Sequence, residues 1–181
     1  MRRFAAGILA AAFAAAAMPA IAQQPPPMPK PGPEHKRLSF FVGHWKTEGD
    51  MKPGPMGPGG KFSGTDDCKW LGDFFVTCNT NGSGTMGKIS GLGVMGFDAG
   101  KKNYTWNGFN SMGENESAAG TVDGKTWTYT NENTMGGKTY KGRYTMVEQS
   151  PDAYTYKLEM SEDGKNWTTA MEGKSTKVAA K

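Results

Sequence analysis

The sequence predicts an all-β chain: a single up-and-down antiparallel β-barrel of about ten strands with a short N-terminal helical plug. Three observations predict it. Beyond Trp45, apolar and polar residues alternate with period two, as half-buried strands require. Asp-Gly turn signals such as Val122-Asp123-Gly124-Lys125 and Glu162-Asp163-Gly164-Lys165 link successive segments, with no long crossover between them. The apolar face is built from Tyr, Trp and Met among 26 glycines, with few branched aliphatics, a composition unsuited to a solidly packed interior.

The first 22 residues are expected to be a signal peptide. Arg2 and Arg3 precede an apolar run from Phe4 to Ala17, and Ala20-Ile21-Ala22 is a small-x-small cleavage site. The run is shorter than the roughly 20 apolar residues of a spanning helix, so no membrane span is expected. Arg2-Arg3 lacks the preceding polar residue and the spacing to phenylalanine that mark twin-arginine export. General secretion, to the periplasm or beyond, is the expectation. Cleavage after Ala22 leaves 159 of the 181 residues and, by removing Arg2 and Arg3, lowers the net charge from +4 to +2. Lysines are scattered without a basic face, so no nucleic-acid partner is expected. Residues 23–36 carry Pro25, Pro26, Pro27, Pro29, Pro31 and Pro33 and form an expected extended spacer, which puts the barrel at 37–178.

The stretch from Leu38 to Trp45 is an apolar entry, one helical turn leading into the first strand. Trp127 and Tyr129 then share a face opposite Thr126, Thr128 and Thr130, while Tyr154, Tyr156, Leu158 and Met160 oppose Thr155, Lys157 and Glu159. Tyr140, Tyr144 and Met146 oppose Lys141, Arg143 and Thr145 in the same way. In a meander, alternate turns fall at opposite ends. The turn regions holding Met51 and Met56, Met86, Met112 and Met135 would then share one mouth, and the methionine-free turns near Asp73, Ala99, Asp123 and Pro151 the other. Beneath that rim, Trp106, Trp127, Tyr129, Tyr154 and Tyr156 are expected to line a cavity. Cys68 and Cys78 flank a turn centred near Asp73, and an oxidising compartment would join them as a disulfide.

Gly43-His44-Trp45, at the start of a β-meander, resembles the G-x-W opening of the calycin superfamily. Together with the segments Gly91–Asp98 and Ser161–Lys165, it is similar to secreted bacterial calycin-like (lipocalin-like) proteins grouped as a domain of unknown function, over roughly 37–177. The resemblance implies that Trp45, beside Gly43, closes the barrel floor and stacks against a cation from a late strand, either Arg143 or Lys174. It implies no activity. A haem-binding relative in this broad group carries its axial histidine late in the chain, whereas no histidine follows His44 here. No cofactor is therefore expected.

Catalytic signatures are thin, and no catalytic or metal-ligating residue is assigned. Gly91-Leu92-Gly93-Val94-Met95-Gly96 matches the dinucleotide fingerprint, yet that chemistry needs the glycines to open a helix, and a turn and another strand follow instead. No G-x-S-x-G elbow is present. Asp66, Asp67, Glu114 and Glu116 are the carboxylates available to a cavity, although an outer face is the usual fate of such residues. The expected function is binding of a small, largely apolar molecule through a pliable methionine-bearing mouth. Two alternatives stand: a Cu(I) protein using soft thioether ligands, and a cavity enzyme of isomerase or cyclase type using a buried carboxylate.

Overall fold

The computed structural model describes residues 29–179, so the expected signal peptide and the first part of the spacer lie outside the described residues. The chain divides into Met1–Lys30 and Pro31–Lys181, and every element below belongs to the second unit. Ten strands run in order: β1 (Gly43–Met51), β2 (Gly60–Leu71), β3 (Phe75–Gly84), β4 (Gly87–Asp98), β5 (Asn103–Asn110), β6 (Asn115–Asp123), β7 (Thr126–Met135), β8 (Lys138–Ser150), β9 (Ala153–Ser161) and β10 (Thr168–Val178). Each pairs antiparallel with its sequence neighbours, and β1 pairs with β10 to close the barrel. This is the ten-stranded meander that the alternation and the turn signals predict. Closure leaves no free sheet edge.

Because no strand crosses over, links 52–59, 85–86, 111–114, 136–137 and 162–167 gather at one end. Links 72–74, 99–102, 124–125 and 151–152 gather at the other, which a short helix, α1 (Pro33–Arg37), and a 3₁₀ turn (Leu38–Phe41) cap. Pro33 opens α1, a position where its missing N–H leaves nothing unpaired. The ordered entry thus begins inside the segment expected to be spacer. His35 explains this: it is buried, its ring meets those of Phe74 and Phe97 at 5.1 and 5.7 Å, and its Nδ1 accepts the Gly32 N–H at 3.1 Å.

The packed core lies at this capped end. Leu38 and Phe41 are inserted from the 3₁₀ turn against Trp45, Val76 and Trp127, with ring centroids of Phe41 and Tyr104 at 4.8 and 4.9 Å from Trp127. Burial of these aromatics is the main favourable term in the domain. Cys68 and Cys78 are cross-strand partners in β2 and β3, and they are joined as a disulfide. Along the barrel wall, glycines replace bulk beside several rings. A Cβ on Gly120 would stand 2.6 Å from the Tyr129 ring, one on Gly49 would meet Phe62 and the Tyr156 hydroxyl, and one on Gly93 would overlap the Trp106 ring. These rings therefore lie flat along the barrel wall instead of crossing the interior. That arrangement keeps the interior hollow.

Candidate functional site

A cavity of about 510 Å³ occupies the barrel between the uncapped end and the floor. That volume falls within the roughly 300–1,000 Å³ usual for small-molecule sites. Its lining runs from Met86 and Met112, about half exposed, down to the buried Phe41, Trp45, Met95 and Met146. Phe62, Trp106, Tyr129, Tyr144, Tyr154, Tyr156, Leu158 and Met171 form much of the wall between. Met51 is the cross-strand partner of Met171, and Met86 lies over Gly57 in the β1–β2 link.

Two carboxylates border the cavity, and Asp66 is the less exposed of them. Asp66 shares the inner face of β2 with Phe62 and Cys68. Thr80 donates to one of its oxygens at 2.5 Å and Thr47 to the other at 3.1 Å, and the Thr47 hydroxyl is 2.7 Å from that of Ser175. Burial raises the Asp66 carboxyl above its ordinary range, and the two threonine hydrogen bonds offset part of that rise. Burial likewise pushes the Tyr154 hydroxyl up to about 12, with Ser175 beside it working in the opposite direction. Burial also raises the Tyr129, Tyr144 and Tyr156 hydroxyls, so all four tyrosines are neutral donors across the physiological range. The Tyr156 hydroxyl donates to the Glu48 carbonyl at 3.3 Å. The Tyr129 hydroxyl is buried with no hydrogen-bond partner among the described residues.

Glu116, on β6, also borders the cavity and accepts from the side chains of Asn131 and Asn133. The other two candidate carboxylates lie elsewhere. Asp67 pairs with His44 at 3.3 Å and with Lys69 at 3.1 Å on the outer face, and Glu114 accepts from Asn110 within the β5–β6 link.

Of the five methionines expected at the mouth, Met51, Met56, Met86 and Met112 border the cavity and Met135 does not. Met135 ends β7 opposite Lys138, in a hairpin that extends past the lining residues. The fifth link at that end carries no methionine; its Trp167 lies under the Arg143 guanidinium at 4.2 Å. Of the five expected cavity aromatics, Trp106, Tyr129, Tyr154 and Tyr156 line it. Trp127 is placed differently: it is fully buried under the floor, donates Nε1–H to Glu148 at 2.6 Å, and has Arg37 over its ring at 5.1 Å. Period two puts Trp127 on the inner face, but depth along the barrel depends on where the plug ends.

Trp45 lies at the floor, 2% exposed, and its Nε1–H donates to the Phe41 carbonyl at 2.7 Å. Gly43 beside it takes a φ of 131°, in the region that favours glycine. The cation over the Trp45 ring is Lys177, at 5.0 Å, in place of Arg143 or Lys174. Lys177 is the cross-strand partner of Trp45, whereas Arg143 is drawn outward to Glu159 at 2.9 Å.

Comparison with solved structures gives the same fold at low identity. Rv2717c from M. tuberculosis aligns with a TM-score of 0.57 at 15% identity, over 82% of this chain and 99% of that one. The S-type phycobiliprotein lyase CPES from Guillardia theta aligns at 0.55 and 12%, over 82% and 94%. No curated protein matches the chain. Residues 30–177 match the profile of a family described as "Protein of unknown function (DUF1579)", a span covering most of the 181 residues, and the chain belongs to that family.

Proposed function

We propose that this protein is an exported binding protein that takes a small, largely apolar molecule into its barrel through the methionine-bearing end. The observation that carries the reading is the cavity of about 510 Å³, walled by aromatic rings and thioethers and floored by Trp45. Apolar walls with a few placed polar groups are the common form of a small-molecule site. The disulfide between Cys68 and Cys78 agrees with an oxidising compartment outside the cytoplasm. Thioethers around an opening make a surface that adapts to its ligand. Native mass spectrometry of protein purified from its own envelope tests the reading, together with titration of a hydrophobic fluorescent probe. A co-purifying small molecule, or probe uptake that the molecule displaces, supports it; an empty protein that takes up no probe overturns it.

A second reading rests on Asp66. A largely buried carboxylate whose pKa burial raises is a candidate for proton transfer, and a phycobiliprotein lyase shares the fold. Under this reading the barrel is an isomerase- or cyclase-type enzyme with Asp66 as its base. The two readings differ in what is recovered after incubation with the co-purified molecule: the same compound from a carrier, an isomer from an enzyme.

A further inference from the structure

Charge is distributed unevenly between the two faces of this barrel. The lining contains two carboxylates, the largely buried Asp66 and the exposed Glu116 near the open end, and its cations are Lys61 and Lys88. Both lysines occupy outward-facing strand positions at the rim; Lys61 is 87% exposed and faces Asp50 at 3.4 Å. Below the rim, the lining among the described residues carries one carboxylate, Asp66, and no lysine, arginine or histidine. Asp66 on β2 and Glu116 on β6 stand four strands apart in the closed order, on well-separated parts of the wall. This acidity is local, because the chain without Arg2 and Arg3 still carries a net charge of +2.

Each carboxylate is held in place but not used up. Two threonine donors orient Asp66, and two asparagine amides orient Glu116. A carboxylate offers about four acceptor positions, so both retain lone pairs for a ligand. The rings of Trp106, Tyr144 and Tyr156 line the same space, and aromatic rings attract cations. The Tyr129 hydroxyl, buried and unpartnered beside them, is a further polar group for a ligand to meet. An anionic ligand would face Asp66 without a cation beside it below the rim, whereas an ammonium would bring that carboxylate an opposite charge.

Resting on the binding reading above, we infer that the ligand is an apolar organic cation, an amine or ammonium whose nitrogen is met by Asp66 or Glu116 and whose body lies against the aromatic wall. The test compares three probes with one body, phenylbutylamine, phenylbutanol and phenylbutyrate, titrated calorimetrically into the native, disulfide-intact protein. The amine should bind about tenfold more tightly than the alcohol, and the carboxylate most weakly. Asp66→Asn and Glu116→Gln should each reduce the amine-to-alcohol ratio. Glu116→Gln, nearer solvent, gives this readout even if Asp66→Asn fails to fold. Alcohol or carboxylate binding as tight as the amine overturns the charge assignment while leaving the cavity reading intact. Binding of none of the three overturns the cavity reading, and the inference with it.

Discussion

Single residues set how open this barrel is. Gly93 sits where any side chain would overlap the Trp106 ring, so the ring can lie along the wall only because β4 has no Cβ there. Gly93→Ala should therefore destabilise by about 1–3 kcal/mol through overpacking. In urea melts, most of that loss should be recovered in the Gly93→Ala, Trp106→Leu double variant; no recovery would show that the ring is not the obstacle. Asp66 has a pH-dependent cost. Its folded-state pKa is raised by burial, so between the ordinary carboxylate range and the raised value the folded barrel binds more protons than the unfolded chain. Stability contributed by the neutral form is then present at low pH and lost as pH rises through the folded pKa. Asp66→Asn removes this term while keeping an acceptor for Thr80 or Thr47. The variant should melt above the parent near neutral pH. The gap should close as the pH falls through the carboxylate range. A parent that is equally or more stable at neutral pH would show that the threonine hydrogen bonds outweigh burial.

At the scale of elements, the plug and the first hairpins hold the closed end. Trp45 ties the 3₁₀ turn to β1 through its bond to Phe41 and is covered by Lys177 from β10. Trp45→Ala should cost about 3–5 kcal/mol, and Trp45→Phe, which keeps a ring but loses the hydrogen bond, about 1–2. Thermal melts of both check the order; an alanine variant melting within a couple of degrees of the parent would remove Trp45 from the floor. The Cys68–Cys78 bond closes a short loop across β2 and β3, so reducing it should destabilise by at most about 3 kcal/mol in the chain-entropy picture. A thiol assay on denatured, unreduced protein should find no free cysteine. The strand order was legible because period-two alternation and Asp-Gly turns are local signals, and a meander needs nothing else. The helix at Pro33–Arg37 was not legible, since its prolines read as spacer and only His35, buried between Phe74 and Phe97, shows why the chain is anchored there. The place of Asp66 was half legible: it alternates with Phe62 and Cys68 on one face, but which face turned inward depended on register. Lys177 escaped notice because its partnership with Trp45 exists only once β10 closes onto β1.

The barrel differs between its two ends: one is packed and plugged, and at the other Met86 and Met112 border the cavity. Met95, Met146 and Met160 are buried at 4%, 6% and 8% exposure, whereas Met86 and Met112 are exposed by 49% and 51%. Mild peroxide should therefore oxidise methionines in two classes, the exposed ones at the open end well before the buried ones. Peptide mass spectrometry would order them. Sulfoxides there would turn an apolar, pliable rim into a polar one. If ligands enter by this end, binding of a hydrophobic fluorescent probe should fall sharply at the stage when only exposed methionines are modified. The far-ultraviolet β signal should hold, because the ladder of ten strands does not involve those side chains. If thioethers instead hold Cu(I), the same treatment should abolish a stoichiometric metal complex. Unchanged probe binding with Met86 and Met112 fully oxidised would mean that the ligand does not pass the rim, and the entrance would have to be sought elsewhere on the barrel wall.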